Sequence, residues 1–281
     1  MQPSMTPQTQ QWLARLEAKG RHQFVEVAGH QVGWRQFGQG EPLVLLHGGH
    51  GSWLHWAHNI EALAEHYAVW VPNLPGYGDS SAPRFETMTD MVAVMQANLD
   101  QLFGQDTPLN LCGFSFGGLV SAKLAAQRSS VKRLALLGPG GHGGPRRPRG
   151  ELKNWKRLED EASLLEAMHH NLWVHMLYAQ DRIDTLALDI HTQACIQTRF
   201  RSRGLSAQPE LKHALDQYEG KTLILWGEHD VTATPEVLQQ TLVTAGKSRA
   251  FDVIGGVGHW VQYEASEQLN PRLLDWFKTL V

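Results

Sequence analysis

A chain of 281 residues with 42% apolar side chains can fold as one large α/β domain, or as two ordinary ones, around a substantial core. Its 25 basic and 28 acidic residues are interspersed and leave a net charge of −3, so the basic stripe that nucleic acid requires is missing. No apolar run approaches the ~18 residues of a membrane span, the polar opening stretch 1–11 has no apolar signal core, and Cys112 and Cys195 alone supply neither a disulfide framework nor a CxxC metal site. The expectation is a soluble cytoplasmic protein that binds neither nucleic acid nor membrane.

Residues 7–19 carry the spacing of a short amphipathic helix. Phe24 to Val27 and Gln31 to Phe37 read as strands joined at Ala28-Gly29-His30 in a hairpin. Leu43 to Leu46 is wholly apolar, as in a strand covered on both faces by helices, and it opens into the glycine-rich loop His47-Gly-Gly-His-Gly-Ser52. Trp56 to His66 is helical by period and Ala68 to Val71 is a further buried strand. Pro72 to Ser80 is a long loop, and Thr87 to Phe103 is a helix that Gly104 stops.

Residues 109 to 122 then read Leu-Asn-Leu-Cys-Gly-Phe-Ser-Phe-Gly-Gly-Leu-Val-Ser-Ala. A strand turns sharply into a helix at Ser115, and Gly113 and Gly117 leave room for two backbones to meet, as in a nucleophile elbow. The strand Leu134 to Leu137 follows. The alternation of short strands and helices, which implies a parallel sheet, breaks at the glycine- and proline-rich stretch 138–150. From there to 215 only helical spacing is present, so residues 141–215 are expected to form a helical lid inserted into a core of residues 1–140 and 216–281. Thr222 to Trp226 and Phe251 to Ile254 resume the sheet, with Pro235 to Thr244 and Leu269 to Leu280 helical.

A serine becomes a useful nucleophile when a histidine takes its proton and a carboxylate fixes the histidine tautomer. Asp230 and His259 each stand directly after a strand, in the order serine, acid, histidine. Glu228 and Asp252 compete with Asp230 for the acid role. Glu228 lies earlier in the turn, and strand alternation turns Asp252 away. Backbone amides of Gly49 and Phe116 are the candidate oxyanion donors. His50, Trp53, Phe114, Trp173, Arg199 and Trp260 are candidate substrate contacts, mostly because they flank catalytic positions. Histidines three apart, His55 and His58 or His47 and His50, lack the acidic or cysteine partners that would complete a metal site, so no metal and no cofactor is expected. The run Arg146-Arg147-x-Arg149 reads as a solvated hinge.

The motifs Leu-Leu-His47-Gly-Gly, Pro75-Gly-Tyr-Gly-Asp-Ser80, Gly-Phe-Ser115-Phe-Gly-Gly, Asp230 and His259 resemble the α/β-hydrolase superfamily. The resemblance implies a mostly parallel eight-stranded sheet flanked by helices, with an inserted helical lid. Within the superfamily, Leu137-Gly-Pro-Gly-Gly-His-Gly and Gly258-His-Trp-Val-Gln-Tyr-Glu264 are similar to the meta-cleavage-product hydrolases, which cut a carbon-carbon bond in dienoic acids. Members of that group are typically cofactor-free, cytoplasmic homo-oligomers acting on small molecules. They carry asparagine where this chain has Phe114, and a carboxylate-binding lid arginine that spacing places near Thr192, whereas Arg199 and Arg201 lie further along. The expectation is therefore a serine hydrolase that prefers small, partly apolar esters to carboxylated ring-fission products. A ligand receptor built on the same fold is the rival from another class, and the complete set Ser115, Asp230 and His259 counts against it.

Overall fold

In a computed structural model that describes residues 3–82, 85 and 87–278, the chain forms an eight-stranded sheet in the order β1-β2-β4-β3-β5-β6-β7-β8. The strands are β1 (Gly20–Val27), β2 (His30–Phe37), β3 (Pro42–Leu46), β4 (Ala68–Pro72), β5 (Leu109–Phe114), β6 (Val131–Leu137), β7 (Lys221–Gly227) and β8 (Arg249–Ile254). β1 with β2 and β2 with β4 pair antiparallel, and every other pair is parallel. The opening hairpin therefore caps one edge of an otherwise parallel sheet.

Strand alternation divides the core in two. Val44, Leu46, Leu111, Leu134 and Leu136 join the apolar cluster on one face, while Leu43, Leu45, Cys112, Ala135 and Leu137 join the cluster on the other. Among the covering helices are α1 (Pro7–Glu17), α2 (Ile60–Ala64), α3 (Met88–Phe103) and α4 (Phe116–Gln127). Nearly all of α4 is buried, as its run of small and apolar residues requires.

The chain order reverses at β3, which has β4 on one side and β5 on the other. At such a switch point the connections leave in opposite directions and open a crevice beyond the strand ends. The loops after β3 and β5 both empty into it.

Between β6 and β7 lie α5 (Glu161–His175), α6 (Thr185–Gln197), α7 (Ser202–Ser206) and α8 (Leu211–Gln217), with no strand. Asp160 and Asp184 cap the first two, accepting from the Ser163 and Ala187 amides at 2.8 and 2.7 Å. α5 and α6 pack on each other, whereas α7 and α8 lie on α4. The break expected between 215 and 216 thus falls inside α8, a helix seated on the core.

Some boundaries differ from the sequence pattern. The helix expected over Trp56 to His66 is a 3₁₀ turn at Trp53–Trp56 followed by the single short α2, and between them the Asn59 side chain donates to the Gln262 carbonyl and to Asn270. β1 begins earlier than expected, with Arg21, His22 and Gln23 paired along the sheet while exposed, and β6 begins earlier at buried Val131, followed by exposed Lys132. After β7 come α9 (Pro235–Leu242), α10 (Val261–Glu264) and α11 (Ser266–Phe277). Residues 279 and 280, expected in the closing helix, lie outside the described residues. No helix among the described residues is long and apolar enough to cross a membrane.

Candidate active site

Backbone geometry presents Ser115. It links β5 to α4 at φ 53° and ψ −114°, a conformation that costs a residue with a side chain on the order of 1–3 kcal/mol. A Cβ on Gly113 would collide with the Gly117 carbonyl and the Ser121 hydroxyl, and one on Gly117 with the His47 carbonyl. The corner is pinned to the end of β6: the Ser115 amide donates to the Leu137 carbonyl at 2.9 Å, and the Gly140 amide donates to the Ser115 carbonyl at 2.8 Å.

His259 and Asp230 arrive on the loops after β8 and β7. His259 Nε2 lies 3.0 Å from Ser115 Oγ, and its Nδ1 lies 2.7 Å from Asp230 Oδ2. Asp230 is wholly buried. Its other oxygen accepts from the Thr232 amide and hydroxyl, both at 2.7 Å. Burial alone would raise the Asp230 pKa, but the neighbouring His259 and the Thr232 bonds outweigh it and leave the pKa below the ordinary carboxylate value. Asp230 is therefore an anion poised to hold the proton on Nδ1 and leave Nε2 free to accept one. The competing acids are engaged elsewhere: Glu228 accepts from the Gly256 amide at 2.8 Å, and Asp252 pairs with Arg272.

Two neutral imidazoles set the loop after β3. His47 Nδ1 bonds the Gly48 carbonyl at 2.8 Å, and its Nε2 accepts from the Leu74 amide at 2.9 Å. His55 Nδ1 accepts from the Gly48 amide at 3.2 Å. Burial pulls the pKa of His47 down to about 4 and that of His55 well below its ordinary value, so both stay uncharged near neutrality. Gly49 follows this clamp and Phe116 opens α4. Neither backbone amide donates to a protein group among the described residues. Both border a cavity of about 240 Å³ that also touches Ser115 and His259.

Of the six expected substrate contacts, the cavity includes His50 and Phe114, whose ring lies 4.8 Å from that of His259. It does not include the other four. Trp53 stacks on Phe37 beneath the Arg35 guanidinium and faces a separate cavity. Trp260, 0% exposed, donates its indole N–H to the His55 carbonyl at 2.9 Å and belongs to the core. Trp173 is 44% exposed on α5, its ring edge-on to that of His170. Arg199 ties down the loop after β4, donating to the Gly78 carbonyl at 2.9 Å and to the Ser80 carbonyl. Adjacency in sequence misled for Trp260, which follows His259 directly yet is turned into the core.

The arginines at the cavity are Arg146 and Arg149, from the stretch read as a solvated hinge, and Arg203 of α7. No aspartate or glutamate among the described residues lines it. The insertion also contributes His142, His175 and His191. Burial lowers the pKa of His175 to about 3 and of His191 to about 4, so both rings are neutral. Thr232 had no sequence signal beyond standing two residues after Asp230. Among the described residues no group of three or more histidine, cysteine, aspartate or glutamate side chains could hold a metal ion.

The pattern that defines the alpha/beta hydrolase fold family matches residues 41–183, about half of the chain. The chain belongs to this family. The hydrolase is 29% identical over 271 residues to the 2-hydroxy-6-oxo-6-phenylhexa-2,4-dienoate hydrolase of Burkholderia cepacia, covering 85% of this chain and 88% of that one. Its fold matches a meta-cleavage product hydrolase from Pseudomonas fluorescens with a TM-score of 0.72 at 23% identity, over 91% of this chain and 97% of that one. It matches carboxylesterase CesB of Bacillus subtilis with a TM-score of 0.75 at 19% identity, over 97% and 96%. The relatives and neighbours thus include enzymes named for ester cleavage and for carbon-carbon cleavage, and the hydrolase is an enzyme of that class. At such identities the two structures speak for the fold alone.

Proposed function

We propose that this hydrolase cleaves small carboxylic esters with Ser115 as nucleophile, His259 as general base and Asp230 as the carboxylate that fixes the base. The observation that carries the reading is the continuous line from Ser115 Oγ through His259, at 3.0 Å, to buried Asp230, at 2.7 Å. His259 Nε2 takes the hydroxyl proton as Oγ attacks the carbonyl carbon. The oxyanion forms against the Gly49 and Phe116 amides, which are unspent within the protein. Collapse of the intermediate expels the alcohol, protonated by His259, and a water molecule activated by the same ring releases the acid. Residues 141–215 act as a lid, with α7 lying close over Gly49, where an added Cβ would meet the Ser202 hydroxyl.

Turnover of p-nitrophenyl acetate and butyrate by the purified protein, lost in Ser115→Ala, tests this reading. A protein that neither turns over such esters nor reacts covalently at Ser115 with a fluorophosphonate would refute it.

One observation favours a second reading, carbon-carbon hydrolysis of a carboxylated dienoic acid. Among the described residues the cavity is lined by three arginines and no acid, so it can receive an anionic group without leaving a charge unpaired. This weakens one of the two grounds for the sequence-based preference for esters, the displaced lid arginine, and leaves the other, Phe114 in place of asparagine. Comparing kcat/KM for a neutral ester, a carboxylated ester and a ring-fission acid on one preparation separates the readings.

A further inference from the structure

The loop that carries His259 is pressed between the core and the insertion. On the core side, a Cβ on Gly227 at the end of β7 would run into the carbonyls of Val257 and Gly258. On the other side, a Cβ on Gly258 would come within 2.8 Å of the Tyr178 amide nitrogen and 3.0 Å of the Met176 carbonyl, just beyond the end of α5. The backbones are in direct contact, and the Trp260 amide donates to the Met176 carbonyl at 2.7 Å.

One side chain bridges this contact. Glu264, buried in α10, accepts from the Gly258 amide through Oε2 at 2.6 Å. Its other oxygen, Oε1, accepts from the Tyr178 amide at 2.9 Å and the Ala179 amide at 2.7 Å. A carboxylate that accepts three amide bonds in a buried setting is strongly held, because each amide would otherwise be left without a partner. One donor immediately precedes the base, and the other two follow the segment that presents His175, whose ring centre lies 5.8 Å from that of His259.

We propose that Glu264 is a positioning residue that fixes the lid and the catalytic base in one register, so that His259 points its Nε2 at Ser115 only while the segment 176–179 is docked on Gly258. The proposal rests on the Ser115–His259–Asp230 reading. It goes further in making the base depend on the lid through a side chain that touches no substrate. Glu264→Gln keeps the shape but turns an N–H towards one of the three donors, which breaks part of the bridge and leaves the rest.

The test measures the rate of fluorophosphonate labelling of Ser115 together with hydrogen exchange of the segments 176–180 and 255–260. In Glu264→Gln, labelling should slow by about 10- to 100-fold in protein that is still folded, and both segments should exchange faster together. Ala179→Pro, which removes one lid donor and leaves the Gly258 bond untouched, should also speed exchange in 255–260. Labelling of Glu264→Gln within twofold of the parent, or faster exchange confined to one segment, would overturn the proposal. Failure of the parent protein to label would instead refute the nucleophile reading.

Discussion

The two walls of the cavity are built differently. On the core wall, Asp230, His259 and the loop around Gly48 are held by short hydrogen bonds to partners fixed by the sheet. On the wall from the insertion, Arg146, Arg149 and Arg203 face the cavity with no carboxylate partner among the described residues, and the Nδ1 atom of His175 is buried without one. The core wall is organised before substrate arrives, as electrostatic stabilisation of a developing charge demands. The lid wall keeps polar groups that substrate would satisfy. On the proposed reading, chemistry is set by the first and choice of substrate by the second.

Breaking the core wall should have the largest effects. Ser115→Ala should reduce ester turnover by about 10⁵-fold or more, as when a nucleophile that works as a unit with its base is removed. Thermal unfolding should stay close to the parent, since among the described residues the hydroxyl hydrogen-bonds His259 and no other group. Asp230→Asn should follow with a loss of about 10³- to 10⁴-fold, because an amide can present an N–H to Nδ1 and reverse the tautomer. Glu228→Gln and Asp252→Asn should remain within a few-fold, as both carboxylates face other partners. Parallel kcat/KM measurements on the four variants check the ordering, and equal losses at Glu228 and Asp230 would move the acid.

The same division explains what the sequence made legible. The core wall hangs from strand ends, and a strand end is marked by an apolar run breaking into glycine, so Ser115, Asp230, His259, Gly49 and Phe116 could be placed by counting along the chain. No such rule orients an insertion. Arg149 stands in a proline- and glycine-rich stretch with every mark of solvated chain, and only the docking of that stretch brings it to the cavity. Arg199 sits on the segment where a substrate-binding cation was expected, yet it faces the loop at Gly78. Glu264 was visible only as part of a motif, because its partners are backbone amides at 178, 179 and 258, and backbone donors leave no trace in composition.

A smaller effect should come from the neutral histidines that brace the site. The folded pKa of His47 is about 4, below the ordinary 6.5. Between those values the unfolded chain binds a proton that the folded chain refuses, so stability falls as pH drops from 6.5 towards 4. The cause is local: a charged His47 would turn Nε2 into a donor facing the Leu74 N–H. His191 and His175 act with the same sign. Each is expected to remove roughly 1–2 kcal/mol by pH 5. Unfolding temperatures at pH 7.5 and pH 5 should show a clear drop, and His191→Gln should flatten it. A curve without slope between pH 6.5 and 5 would mean that these rings are not buried neutral in the folded enzyme.

The finest test sets one arginine against another within the insertion. Arg149 lines the cavity and, among the described residues, its side chain bonds only the neighbouring Gly150 carbonyl, whereas Arg199 donates to two carbonyls of the loop after β4, and its own amide donates to the Gly76 carbonyl at 2.9 Å. Removing a cation that meets a substrate carboxylate at an exposed mouth should cost about tenfold in kcat/KM for a carboxylated ester and leave its neutral analogue unchanged. Removing one that braces a loop should lower stability by about 1 kcal/mol and harm both substrates alike. Arg149→Gln should therefore lower the ratio of carboxylated to neutral turnover. Arg199→Gln should leave that ratio within twofold while lowering the unfolding temperature by a few degrees. If Arg199→Gln moved the ratio and Arg149→Gln did not, substrate choice would belong to the loop at Gly78 instead of the cavity mouth, and the division of labour between the two walls would have to be redrawn.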